Sequence, residues 1–304
     1  MKRLLLPLCV FIIAAAPSLS PLSLELVGGL GNHSYDQERT TALSDESVEG
    51  SFSPNLFPLA LARFSGDYGN ISYNTGFERD PLSKNRLFMN VKTDFNFFFV
   101  EAGPYLGLFN TKQLPFNPGL SASMGFSLPG IFFIRAAGAS TLGPIMDVTD
   151  YYYQNSGGIS AGFWVPHVVC SLNMSSKSFT VRNEDMLLIE NSLKRYFFSA
   201  DVFTKNVPYT IRVDLGFENL SRSYITEEIS GSSIVKSTAK DEFKSIFMGF
   251  ELNYTFTPAL KVLLGAEMPV YSWGVRPMQN PPKGAILFEA RAGIIITWPG
   301  KEER

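Results

Sequence analysis

The segment ILFEARAGIIITW, residues 286–298, decides the fold. Ile286, Phe288, Ala290, Ala292, Ile294, Ile296 and Trp298 fall on one face of an extended chain. Leu287, Glu289, Arg291, Gly293 and Thr297 make up most of the other. Residues two apart share a face in a strand, so one side is wholly apolar while the other carries charge and glycine. The same period recurs upstream. Leu87, Met89, Val91, Thr93 and Phe95 alternate with Phe88, Asn90, Lys92 and Asp94. Tyr209, Ile211, Val213, Leu215 and Phe217 alternate with Arg212, Asp214, Gly216 and Glu218, and Ile246 to Phe256 behaves in the same way.

Working outward from these segments, the alternation predicts strands near 22–31, 52–64, 68–79, 86–97, 98–109, 118–128 and 130–142. Seven more fall near 157–166, 167–178, 195–205, 208–219, 243–257, 259–269 and 284–298. Many reach the ~9–11 residues of a tilted strand crossing a bilayer. Their connections alternate in length. Longer segments at 32–51, 80–85, 110–117, 143–156, 179–194, 220–242 and 270–283 are separated by short breaks. Those breaks are Gly66-Asp67, Asn96 to Phe98, Pro129-Gly130, Pro166-His167, Asn206 to Pro208, and Pro258. No Gly or Pro marks the break between the fourth and fifth strands. Merging those two and losing the first would give twelve strands in place of fourteen.

Composition agrees with an ordered all-β chain. The 304 residues are 45% hydrophobic and 18% charged, with 26 Phe, 12 Tyr, 25 Gly and 19 Pro. Aromatic residues favour strands, and Gly and Pro favour turns. A net charge of −2 removes any composition argument for nucleic-acid binding. Two His and two Cys exclude a multi-His or multi-Cys zinc site, and no cofactor is implied.

At the N-terminus, Lys2 and Arg3 precede the apolar run Leu4 to Ala16. That run is too short for a spanning helix and fits a secretory signal. A small-x-small site at Ala16-Pro17-Ser18 predicts cleavage after Ser18. The expected organisation is a signal peptide over 1–18, a single barrel domain over 19–298 and a short polar tail over 299–304.

Period two does not by itself say which face points inward. Charge placement favours the polar one. Lys92, Arg135, Lys177, Arg195, Arg212, Lys261 and Arg291 fall on the polar faces, opposed by Asp94, Glu101, Asp201, Asp214, Glu251, Glu267 and Glu289. An Arg or Lys on a lipid face at mid-bilayer costs ~2–4 kcal/mol. A soluble barrel's dry interior would instead leave all these charges buried and in need of partners. A water-filled lumen lined by these fourteen residues is the simpler arrangement. The reading is a transmembrane antiparallel up-and-down β-barrel of about fourteen strands, with short turns at one end and long loops at the other.

With its signal peptide, strand alternation, loop alternation and aromatic-ended final strand, the chain resembles Gram-negative-type outer-membrane β-barrels of the monomeric porin kind over about 22–298. The resemblance implies location in a bacterial outer membrane with both termini periplasmic, and insertion into the lipid bilayer by the barrel-assembly machinery. It implies passive diffusion of small polar solutes and no enzymatic activity. An apolar-ligand transporter with inward Phe88, Phe197, Phe203 and Phe247, and a non-conducting surface barrel binding a partner through its loops, are the alternatives. The first strand starts close to the cleavage site, which leaves no room for the N-terminal plug of long-chain fatty-acid transporters. Members of the family often end on an aromatic residue, whereas here Trp298 is followed by Pro299-Gly300-Lys301-Glu302-Glu303-Arg304. The assembly signal would therefore be read internally.

Individual sites weaken other chemistries. Asn32-His33-Ser34-Tyr35 places a Ser beside a His, but adjacent strand residues face opposite ways and no neighbouring acid is identifiable. No catalytic residue is assigned. Cys170 falls on the apolar face with Val168 and Leu172, and His167 at a turn. Asp201 is expected opposite Arg212, and Asp94 opposite Glu101. Asn183 to Arg195 reads as a short capped helix constricting the lumen, or equally as an apolar loop patch. The 220–242 segment reads as a solvated loop.

Overall fold

A computed structural model describes residues 22–32, 56–80, 82, 84–109, 116–142, 151–182, 187–203, 207–230, 233–275 and 287–298. The expected signal peptide over 1–18, the expected loop beyond Asn32 and the expected tail over 299–304 lie outside these residues. Fourteen strands follow one another: β1 (Leu22–Gly31), β2 (Phe57–Tyr68), β3 (Ile71–Asp80), β4 (Lys84–Phe95), β5 (Phe98–Leu108), β6 (Phe116–Leu128), β7 (Phe132–Thr141), β8 (Tyr151–Val165), β9 (Val168–Arg182), β10 (Leu187–Phe203), β11 (Tyr209–Ser230), β12 (Ser233–Thr257), β13 (Leu260–Val275) and β14 (Glu289–Trp298). Each pairs antiparallel with its sequence neighbours, and β1 pairs with β14 from Leu22↔Trp298 to Gly31↔Glu289. The sheet closes on itself and leaves no free edge.

Closure carries the alternation of the last strand around the whole ring. Residues opposite one another in a ladder share a face. Arg291 lies opposite Gly265, Gly265 opposite Glu251, Glu251 opposite Arg212, and Arg212 opposite Asp201. The charged side of each strand is therefore the same side, and ion pairs that span the ring identify it as the interior. The outer side is apolar, with Leu26, Met89, Met124, Leu172, Leu215 and Leu264 all exposed, Leu172 to 68%.

Four turns are held by a left-handed residue: Gly69, Asn96, Gly130 and His167. Asn96, at φ 50°, is what turns β4 into β5 where the sequence shows neither Gly nor Pro. Asparagine tolerates this region better than other side chains because it can hydrogen-bond locally. That settles the strand count at fourteen.

Three expectations are corrected. Residues 187–195 of the proposed helix belong to β10, while 183–186 lie outside the described residues. Ile189, Asn191, Leu193 and Arg195 take one face and pair without a break to β9 and β11. A helix this short is marginal alone, and flanking strands satisfy the backbone on both sides. The 220–242 segment is no loop either, because β11 and β12 run on to Ser230 and Ser233 as one hairpin. β11 has 22 residues against 10 in β14, so the hairpin projects roughly 40 Å further along the strand. Finally, β13 continues past Pro269. At the register shift opposite Ile246 and Phe247, Val270 is the extra residue, and the bulge it makes in β13 absorbs the adjacent proline, which has no N–H to give the ladder.

The Asn96 turn supplies a test. Asn96→Gly should leave the urea midpoint of the refolded barrel unchanged, whereas Asn96→Val should cost about 1–2 kcal/mol, read from equilibrium urea titration.

Candidate functional site

All fourteen charged residues singled out from the alternation share the inward face. Around the β10–β13 wall they meet in one network. The Arg195 guanidinium donates to Glu218 Oε2 from Nε at 3.1 Å and from Nη2 at 2.9 Å. It also donates to Glu267 from Nη1 at 3.1 Å and Nη2 at 2.5 Å, and stacks over Phe247 at 4.9 Å. Ser245 Oγ donates to the second oxygen of Glu218 at 2.7 Å. Glu289 lies directly opposite Glu267 in the β13–β14 ladder, so with Glu218 three carboxylates gather around that one guanidinium. Nearer the short-turn end Arg291 donates to Glu251 at 2.6 Å, and Arg212 sits 3.4 Å from Asp201 and 3.5 Å from Asp214. The expected register of Asp201 opposite Arg212 is the observed one.

Asp94 and Glu101 do not meet as expected. Lys92 lies opposite Glu101 and is 2.8 Å from Asp94, while Asp94 itself faces Phe99. Glu101 instead accepts from Asn74 Nδ2 at 2.7 Å and Ser123 Oγ at 3.0 Å. Arg135 stacks over Phe133 at 4.9 Å, and Lys261 is exposed near the short-turn rim.

A contact across the interior joins Lys177 to residues the alternation passed over. Lys177 of β9 is paired with Asp80 at the end of β3, six strands away around the ring. Leu82 N–H donates to Asp80 Oδ1 at 2.8 Å, and the Leu82 side chain is buried against Leu220 of β11, Phe243 of β12 and Leu287. The β3–β4 connection thus reaches across the lumen to the far wall. This contact crosses the interior, whereas residues 187–195, expected in a constricting helix, are strand. Beside it Arg86 donates to Glu78 at 3.0 and 2.6 Å.

Two cavities of about 440 Å³ each occupy the interior. The first lies against β2–β9, the second against β1–β3 and β9–β14. Arg63, Glu78, Ser175 and Lys177 line both. Toward the long-connection end the interior is packed and apolar: Tyr152, Phe179, Val181 and Ile189 are buried with Phe109 against them. Tyr152 Oη donates to the Gly107 carbonyl at 2.5 Å and Tyr105 Oη to the Gln154 carbonyl at 2.8 Å, tying β5 to β8.

Glu25, Arg63, Glu78, Asp80, Arg86 and Arg222 are inward charges that sequence reasoning missed, and Glu218, placed on the polar face of its strand, was not counted with the lining. Parity was available for several of them: Glu25 stands between Leu24 and Leu26, and Arg63 between Ala62 and Phe64. Asp80 and Arg222 fell in segments read as loops. On the projecting hairpin, Glu242 is held below the ordinary carboxylate range by hydrogen bonds from Lys240 and Lys244.

No family model matches the chain, and no curated protein matches it in sequence. Among solved structures, a bacterial polysaccharide outer membrane secretin aligns over 92% of this chain and 98% of its own, at 9% identity and TM-score 0.48. An outer membrane channel from Pseudomonas putida F1 aligns over 93% and 96%, at 8% identity and TM-score 0.45. A porin aligns over 92% and 100%, at 8% identity and TM-score 0.41. What this barrel does is read from its own residues.

Glu218 is 1% exposed and accepts two hydrogen bonds from the Arg195 guanidinium. Arg195→Met should therefore cost about 3–5 kcal/mol in urea unfolding. Adding Glu218→Gln to that variant should recover part of the loss, since the stranded charge is then removed.

Proposed function

We propose that this chain is an outer-membrane channel through which small polar solutes diffuse, narrowed by the Asp80–Lys177 pair and the Leu82 crossover. The observation that carries the reading is the contrast between the two faces of one closed sheet. The interior holds ionised groups and two cavities, and the exterior holds exposed Leu, Met and Phe on strand after strand. Soluble monomers rarely expose contiguous apolar surface on this scale, whereas a bilayer requires it. Aromatic side chains mark both ends of the apolar belt. Tyr68, Phe95, Phe126, Tyr254 and Trp298 lie at the short-turn end, and Tyr196, Tyr271 and Trp273 lie toward the other. Tyr and Trp favour such interfaces because their rings are apolar and their tips polar.

β1 begins and β14 ends at the short-turn end. In the proposed orientation that end is periplasmic, and Trp298 closes the final strand as the feature the assembly machinery reads. The fourteen inward charges, with Asp80, Glu78 and Arg86, are proposed as pore-lining. Opposite charges across a narrow passage favour solutes able to exchange water for hydrogen bonds on the wall. The inward aromatics form no continuous apolar path to rival this: Phe88 lies under Arg63 at 6.0 Å and Phe247 under Arg195, while Phe203 stands at the rim.

Two measurements test the reading. Refolded protein in a planar bilayer should give stepwise conductance that the heat-unfolded control lacks. Asp80→Ala combined with Lys177→Ala should raise the unit conductance by about twofold or more, and a closed barrel with no steps would refute the channel. Separately, Leu215→Arg on the outer face should cost ~2–4 kcal/mol of stability in lipid vesicles. A cost near zero would argue against a bilayer on that face.

A further inference from the structure

We propose that the interior cavity beside Arg63 is a binding site for a small carboxylate-bearing solute, a step that rests on the channel reading and names the solute class it favours. The cavity's charges are unequal in what they leave unspent. Its two carboxylates are already engaged. Glu101 accepts hydrogen bonds at both oxygens, from Asn74 at 2.7 Å and Ser123 at 3.0 Å. Glu78 is bridged twice by Arg86. Donors are less fully used. Among the described residues Arg63 pairs with one carboxylate, Nη1 lying 3.3 Å from Glu25, and its Nε is buried without a hydrogen-bond partner. The Arg63 side chain is nonetheless 43% exposed, so its guanidinium is reachable from the cavity. Asn90 spends its oxygen on Ser121 Oγ at 2.6 Å, which leaves its amide nitrogen as the remaining donor.

Shape supports the same conclusion. The wall facing Arg63 is built of small residues, including Ala137, Ser156, Gly158 and Ser175, so space opens opposite the guanidinium. A volume of about 440 Å³ suits a small organic molecule. A guanidinium with one carboxylate partner among the described residues, hydroxyls on the opposite wall and carboxylates already engaged select an anion with hydrogen-bond acceptors over a cation. A carboxylate can accept from the part of the Arg63 guanidinium that faces the cavity, and Phe88 beneath it restricts the plane in which that group lies.

The test is calorimetric titration of the refolded full barrel in detergent with succinate, and with putrescine and xylitol as cationic and neutral counterparts. Succinate should bind saturably and the other two should not. Arg63→Gln should weaken succinate by about tenfold or more. Ala137→Leu, which fills the cavity from the opposite wall and whose ladder partners Ser123 and Gly158 carry no charge, should do the same if Arg63→Gln fails to fold. Lys240→Gln, on the projecting hairpin, should leave binding unchanged. Absence of succinate binding, equal binding of putrescine or xylitol, or binding indifferent to both cavity variants would overturn the site. Conductance of the same preparation separates the two readings. Stepwise current without succinate binding removes the site and keeps the channel, and succinate binding without current keeps the site and removes the channel.

Discussion

Everything in this structure depends on the ladder between β1 and β14. Each strand carries a row of amide and carbonyl groups on both edges, and an open fourteen-stranded sheet would leave two rows without partners. Pairing Leu22 with Trp298, and onward to Gly31 with Glu289, removes both edges together. In a medium without water, closure is the one way a sheet can satisfy its backbone. It also turns a local property into a global one. Side chains alternate along a strand, ladders join like faces, and a closed ring permits no strand to be out of phase with the rest.

That phase has an energetic consequence inside. An interior narrow enough for side chains to meet across it brings charges close, and they must find partners or be destabilising. The observed pairings are mostly between neighbouring strands, as for Arg212 with Asp201 and Arg86 with Glu78. Three reach further: Arg291 to Glu251, Arg195 to Glu267, and Lys177 to Asp80. These longer contacts divide the interior, because a side chain that spans space also occupies it. Glycines and serines on β7–β9 do the opposite and leave room where β2 and β4 bring large side chains inward.

The legibility of this fold in its sequence was uneven for physical reasons. Strands with strict alternation, such as β4 and β14, were visible because their faces differ in polarity at every position. The extensions of β10, β11 and β12 were not, because beyond the apolar belt both faces of a strand become polar or mixed and the period disappears. The run Met186-Leu187-Leu188-Ile189 read as helical for the same reason: consecutive apolar residues carry no period, and only pairing to β9 and β11 puts Leu188 and Ile189 on opposite faces. Of the inward charges, those on cleanly alternating strands were found. Asp80 was missed because its strand ends there, and Glu78 and Arg86 because a neighbouring charge or turn blurred the alternation.

By itself the amino-acid sequence determined the all-β class, the strand order and which side of most strands is apolar. Those are consequences of a two-residue repeat and of turn chemistry, and both act over a few residues. The tertiary structure alone decided the register, the closure and the partner of each inward charge. It also decided that a short connection after β3 crosses the lumen to Leu220 and Phe243. Such facts join residues far apart in the chain, such as Asp80 with Lys177, and a local pattern holds no information about which distant wall a side chain will meet.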